Sequence, residues 1–204
     1  MSSQDRTSVM TVLADGSVVT LASDASWHVG EGRIQSADPK LGERVDLRVH
    51  EHLWSEPGGR ALSEVSAVLL ERTPPKLIAE QVDRVQAVDR LPGRISRTPA
   101  GVQLIDFGQN FAGVARIRLR GRAGTRATIL YSEVLTADGE LDTDYLPSSG
   151  DGWFQRDEAI LADEPVDYTP WFTIHGFRYV AVLGLDDELT EDDVEGIVLS
   201  TRMD

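Results

Sequence analysis

From Ala115 to Arg120 the chain reads Ala-Arg-Ile-Arg-Leu-Arg, an apolar residue and an arginine in strict turn. A period of two places Ala115, Ile117 and Leu119 on one face and Arg116, Arg118 and Arg120 on the other. Only an extended strand sorts side chains in that way; a helix would scatter them around its axis. The same period returns in Ala127, Ile129 and Tyr131, which alternate with Thr128, Leu130 and Ser132, and in Arg44 to His50. Turn signals separate these runs. Val9–Leu13 and Val18–Leu21 flank Ala14-Asp15-Gly16-Ser17, a hairpin signal because glycine accepts the positive φ such turns need. Pro74-Pro75 excludes a helix there. Further strands are expected at Lys76–Val82, Val85–Val88, Val102–Asp106, Trp153–Leu161, Tyr168–Phe172, Arg178–Leu183 and Val194–Leu199, with one short helix start at Thr190-Glu191-Asp192-Asp193. Many short strands without a long amphipathic helix predict an all-β, antiparallel sandwich.

Charge narrows the function classes. Residues 1–132 carry 17 basic and 15 acidic side chains, whereas 133–204 carry 3 and 19, within a formal net charge of −14. Such a field repels phosphate backbones and argues against nucleic acid as a partner. The absence of cysteine excludes disulfides and thiolate metal sites. No apolar run approaches the roughly 20 residues of a membrane span. No signal peptide is visible in MSSQDRTSVM, so a cytoplasmic location is the default expectation.

Four features are candidates for chemistry. Asp106-Phe107-Gly108-Gln109-Asn110-Phe111-Ala112-Gly113 is either a ligand-binding loop or a sharp corner between two strands. The corner is favoured: an Asx side chain ties down nearby N–H groups, small residues let backbones approach, and Phe107 and Phe111 plug the core. His175 is either a general base or metal ligand, or a buried, hydrogen-bonded histidine beside Gly176. The second is favoured, because no other histidine lies nearby in sequence. Asp138, Glu140, Asp142 and Asp144 alternate along a loop. Calcium favours clustered carboxylates, but the spacing fails the EF-hand pattern, so an exposed acidic tip is expected and no cofactor is assigned. Trp27, Trp54, Trp153 and Trp171 offer faces on which a sugar ring stacks, and Trp54 and Trp153 are the two ligand-binding candidates. No residue pair stands out as catalytic, and no metal site is announced.

Three blocks in combination resemble one family. They are LIDFGQNFAGVARIRLRGRAGTRATILYSEVLTADGEL at 104–141, PWFTIHGFRYVAVLG at 170–184 and TVLADGSVVTLASDASWHVGEGRIQSADPKLGERVDLR at 11–48. Their order and spacing are similar to those of bacterial α-L-rhamnosidases, a family of glycoside hydrolases. The resemblance implies a concanavalin-like (jelly-roll) β-sandwich over 95–204, extended connecting strands over 66–94, and a partial N-terminal β-domain over 1–65 whose first strands are missing. In the family, carboxylates of an α/α barrel C-terminal to these domains hydrolyse terminal α-L-rhamnose with inversion. The resemblance therefore implies a non-catalytic portion, inactive in isolation, that braces the barrel and helps frame the sugar site, with the rest of the rhamnosidase polypeptide as partner. The alternative is a carbohydrate-binding module for rhamnose or a rhamnosylated glycan. At 147–161 this chain departs from the family's usual polar strand.

Overall fold

A computed structural model describes residues 8–49, 56, 58–59, 62–68, 78, 80–146 and 154–201. The expected strand at Lys76–Val82 lies mostly outside the described residues. The chain divides into two compact units, one formed by Met1–Gly32 and Glu51–Gln81, the other by Arg33–His50 and Val82–Asp204.

Among the described residues the first unit shows two antiparallel ribbons. β1 (Ser8–Val12) pairs with β2 (Val18–Ala22), and β3 (His28–Glu31) with β6 (Leu62–Ser66). The turn between β1 and β2 is the one expected from Asp15-Gly16. Gly16 has φ +82°, and Asp15 Oδ1 accepts the Ser17 N–H at 2.9 Å. None of this unit's residues whose side chains are described is buried, and Val18, Val19 and Leu21 expose both faces of β2.

The second unit is a single ten-stranded sheet that curls into a half-barrel, jelly-roll-like body. Its strands are β4 (Ile34–Asp38), β5 (Gly42–Asp46), β7 (Val85–Pro92), β8 (Arg94–Arg97), β9 (Gln103–Leu119), β10 (Arg126–Ser132), β11 (Arg156–Ile160), β12 (Val166–Tyr168), β13 (His175–Leu183) and β14 (Val194–Thr201). The path runs β4-β5-β11-β10-β13-β9-β14-β7, and β8 and β12 also pair with β9. Every contact is antiparallel except β5 with β11, where Glu158, Ala159 and Ile160 pair with Arg44, Val45 and Asp46 in parallel.

The expected corner at Asp106–Gly113 is a bend within one strand. Residues 103–106 of β9 pair with β8 and β13 and residues 111–113 with β13 again after a register shift, whereas 113–117 pair with β14 and 117–119 with β12. A strand that changes partners in this way turns the edge of a sandwich. Asp106 Oδ1 accepts the Gly108 N–H at 2.7 Å, and Phe107 and Phe111 are buried with their rings edge to face. Around them pack Ile105, Ala115, Ile117, Leu119, Ala127, Ile129, Phe177 and Val180. The alternations read at 115–119 and 127–131 supply the inward faces of β9 and β10. The expected strand at Tyr168–Phe172 ends at Tyr168. Pro170 has no N–H to donate, and the N–H groups of Trp171 and Phe172 turn to a side chain instead of a neighbouring strand. The short helix is the 3₁₀ turn Glu191–Asp193, tied by the Thr190 N–H to Asp193 Oδ2 at 2.8 Å.

Candidate functional site

The core of the second unit contains a polar island. Period two on β5 puts Glu43 on the same inward face as Val45, and on β11 it puts Asp157 beside Ala159. Tyr131 comes from β10, His175 from the start of β13 and Tyr168 from the end of β12. Glu43 is 1% exposed, Asp157 0% and His175 1%. Carboxylates buried so deeply need partners. Asp157 Oδ2 accepts the Tyr131 hydroxyl at 2.7 Å, and its Oδ1 accepts the backbone N–H of Glu43 at 2.8 Å and faces His175 Nε2 at 3.3 Å. With Nε2–H directed at the carboxylate, Nδ1 is an acceptor that finds no partner among the described residues, and the imidazole lies tilted over the Tyr131 ring at 4.1 Å.

Glu43 holds a loop. Its Oε2 accepts the N–H groups of Trp171 (3.0 Å) and Phe172 (3.2 Å), and its Oε1 accepts the Tyr168 hydroxyl at 3.3 Å. Burial raises the Glu43 pKa above its ordinary value; the hydrogen bonds from the loop and Tyr168 oppose that rise, and the Asp157 charge adds to it. The Tyr131 and Tyr168 hydroxyls are pushed upward as well, chiefly by burial and then by the Asp157 charge.

Beside this island opens a cleft of about 200 Å³, lined by Arg33, Glu43, Val45, Asp167, Tyr168 and Trp171 among others. The Arg33 guanidinium lies 5.4 Å from the Trp171 ring centre. Glycoside hydrolysis needs one carboxyl that reaches the leaving oxygen and another that reaches water or the anomeric carbon. Of the island's two acids only Glu43 lines the cleft, beside the exposed Asp167, which pairs with Arg116. Every oxygen of Glu43 and Asp157 is engaged by the protein, so the island fixes backbone and leaves neither of its carboxylates free for a sugar.

The other sequence candidates fall apart in space. His175 is the buried, hydrogen-bonded histidine, with Thr173 Oγ1 3.4 Å from its Nε2. In the acidic run, Asp138 Oδ1 accepts the Thr136 hydroxyl, Glu140 Oε1 accepts the Ala100 N–H, and Asp142 Oδ1 accepts the Asp144 N–H. Asp138 and Asp142 close local turns, and Glu140 ties the 136–140 turn to the Ala100 backbone. Among the described residues no group of three or more His, Asp or Glu is placed to hold a metal ion. Trp54 and Trp153 lie outside the described residues. Sequence reading passed over Glu43 and Asp157. The signal was an acid in the inward register of an apolar alternation: Glu43 with Val45 and Leu47, and Asp157 with Ala159 and Leu161.

The description of the bacterial α-L-rhamnosidase concanavalin-like domain matches residues 96–200, and that of the α-L-rhamnosidase N-terminal domain matches residues 4–89. The chain belongs to the bacterial α-L-rhamnosidase family. An α-L-rhamnosidase of Streptomyces avermitilis is 34% identical over 191 residues, which is 92% of this chain and 18% of the relative. Among solved structures, the native α-L-rhamnosidase of Aspergillus terreus superposes with a TM-score of 0.84 at 30% identity, covering 95% of this chain and 22% of that one. The Streptomyces avermitilis α-L-rhamnosidase complexed with L-rhamnose also gives 0.84, at 33% identity, covering 94% and 19%. The chain spans about a fifth of the length of the curated rhamnosidases it matches, between 18% and 20%. It corresponds to their N-terminal and concanavalin-like domains.

Proposed function

We propose that these residues form a non-catalytic β-portion of an α-L-rhamnosidase, bracing a separate catalytic domain that removes terminal α-L-rhamnose. The observation that carries this reading is the state of the two most deeply buried acids among the described residues. Glu43 and Asp157 have all four of their oxygens committed to Trp171, Phe172, Tyr168, Tyr131, His175 and the Glu43 backbone. The test is turnover of an aryl α-L-rhamnoside by the purified chain. None is expected; turnover lost on replacing Glu43 or Asp157 alone overturns the reading.

One observation favours a sugar-binding role: Trp171 exposes its ring beside the cleft. The cleft's 200 Å³ falls below the roughly 300–1,000 Å³ of ordinary ligand pockets. Titration calorimetry with rhamnose, with and without calcium, separates the two roles. Heat that disappears in Trp171→Ala, Trp54→Ala or Trp153→Ala would favour the binding module.

A further inference from the structure

The loop between β12 and β13 is held firmly from below and left bare above. Besides the two N–H groups taken by Glu43, the Ile174 N–H and the Thr173 hydroxyl both reach the Pro39 carbonyl at 3.4 Å, and Pro170 and Thr173 are buried. Yet Trp171 is 63% exposed, Phe172 61%, and Ile174 is exposed as well. A deeply buried carboxylate thus orders a short segment whose large apolar side chains stay exposed, with the Arg33 guanidinium 5.4 Å from the Trp171 ring centre. Single exposed apolar residues are ordinary, but two aromatic residues and an isoleucine exposed within four positions of a hydrogen-bonded loop mark a contact surface.

The surroundings indicate what covers it. Glu133 lies beside this loop's exit: a methyl placed on Gly176 would sit 3.4 Å from Glu133 Oε1. The Tyr145 hydroxyl accepts the Glu133 N–H at 2.9 Å, and Tyr145 and Val134 are exposed. Residues 133–146 contain five acids and no lysine or arginine. The exposed apolar residues of the loop therefore have the Glu133 carboxylate beside their exit. The complement of this face is an apolar socket with lysine or arginine on the matching side. The matched relatives, in which this chain accounts for about a fifth of the length, supply a source for that complement.

We propose that Trp171, Phe172 and Ile174, flanked by Glu133, form the face onto which the remainder of a rhamnosidase polypeptide docks. This rests on the bracing role above and adds to it a surface and the chemistry of its partner. Glu43 then has a positioning role, presetting the loop so that little ordering remains to be done on docking.

The experiment uses a full-length enzyme: the Streptomyces avermitilis rhamnosidase in which this chain replaces the matching fifth. Oxidative labelling of Trp171 and Phe172 is compared between the chimera and the chain alone. Labelling is expected to fall by about tenfold in the chimera, and Trp171→Ser/Phe172→Ser to lower its melting temperature while leaving that of the isolated chain unchanged. Glu133→Lys is expected to lower it further. Equal labelling in both forms, in a chimera that hydrolyses an aryl α-L-rhamnoside, removes the docking face and leaves the bracing role standing. If hydrolysis and melting are the same when this chain is deleted from the chimera, the bracing role falls, and the face with it. Should the chimera fail to fold, exchanging residues 96–200 alone carries the same loop and readout; failure of both exchanges counts against the fit of the face to its occupant.

Discussion

Asp106 and Arg178 meet across β9 and β13 as a two-point ion pair, with Nε 2.8 Å from Oδ1 and Nη2 3.0 Å from Oδ2. The pair sits where β9 bends, and the same carboxylate accepts the Gly108 N–H. Hydrogen bonding to Arg178 is the chief reason its pKa lies below the ordinary 3.8. A carboxyl depressed on folding stabilises above its unfolded value, and that stability is lost as the pH falls through the folded value. Both side chains are about a third exposed, so water and salt screen the pair. Asp106→Ala is expected to cost about 1 kcal/mol at neutral pH. Urea melts should show that cost shrinking below pH 4 and shrinking also in high salt.

Glu43 has the opposite sign. Its pKa is raised above 4.5, so its contribution is largest below the unfolded value and is lost as the pH rises through the folded value. Glu43→Gln keeps an oxygen for the Trp171 and Phe172 N–H groups and removes the buried charge. At pH 7 it should lie within about 1 kcal/mol of the parent chain. Glu43→Ala abandons two N–H groups and the Tyr168 hydroxyl, at a cost of about 3 kcal/mol. Between pH 7 and pH 5 the parent should gain on the Gln variant; denaturant midpoints at the two pH values measure that gain.

Tyr131 and Tyr168 belong to the same island, and both hydroxyls are held protonated by burial beside Asp157. In an alkaline titration followed by ultraviolet absorbance, neither is expected to ionise until the chain unfolds. Tyr131→Phe removes the donor to Asp157 Oδ2 at a buried site and should cost about 2 kcal/mol, read by thermal melting.

Gly113 and Gly101 separate two reasons for glycine. A methyl on Gly113 would sit 2.0 Å from the Ile197 carbonyl oxygen, across the β9–β14 contact. Gly101 has φ +85° and open space around it. Gly101→Ala should therefore cost about 1 kcal/mol through backbone strain alone. Gly113→Ala must push two strands apart and should cost more than about 3 kcal/mol. Chemical denaturation of the two variants side by side checks the ranking.

No residue of Val18–Ala22 is buried, so this strand is expected to exchange its amide hydrogens faster than the inward-facing runs of β9 and β13. Equal protection, measured by mass spectrometry, would show that another surface covers β2.

Local spacing carried much of the fold. The Asp15-Gly16 hairpin, the inward triplets Ala115-Ile117-Leu119 and Ala127-Ile129-Tyr131, and the structural role of Asp106 were legible because strand period and turn chemistry are properties of adjacent residues. The bend at 106–113 was legible as a corner, but not as part of one 17-residue strand, since its partners β8, β12, β13 and β14 come from both sides of it in the sequence. Reading Tyr168–Phe172 as a strand failed because the acceptor for the Trp171 and Phe172 N–H groups is Glu43, well over a hundred residues earlier.

By itself, then, the sequence determined that this chain is all-β, where its tight turns fall, and which family's β-domains it resembles, because each depends on the order of near neighbours. Only the tertiary structure decided that β5 runs parallel to β11, bringing Glu43 and Asp157 into one buried network beneath Trp171. The strength and meaning of a carboxylate depend on what surrounds it, and its surroundings are assembled from strands that the sequence holds far apart.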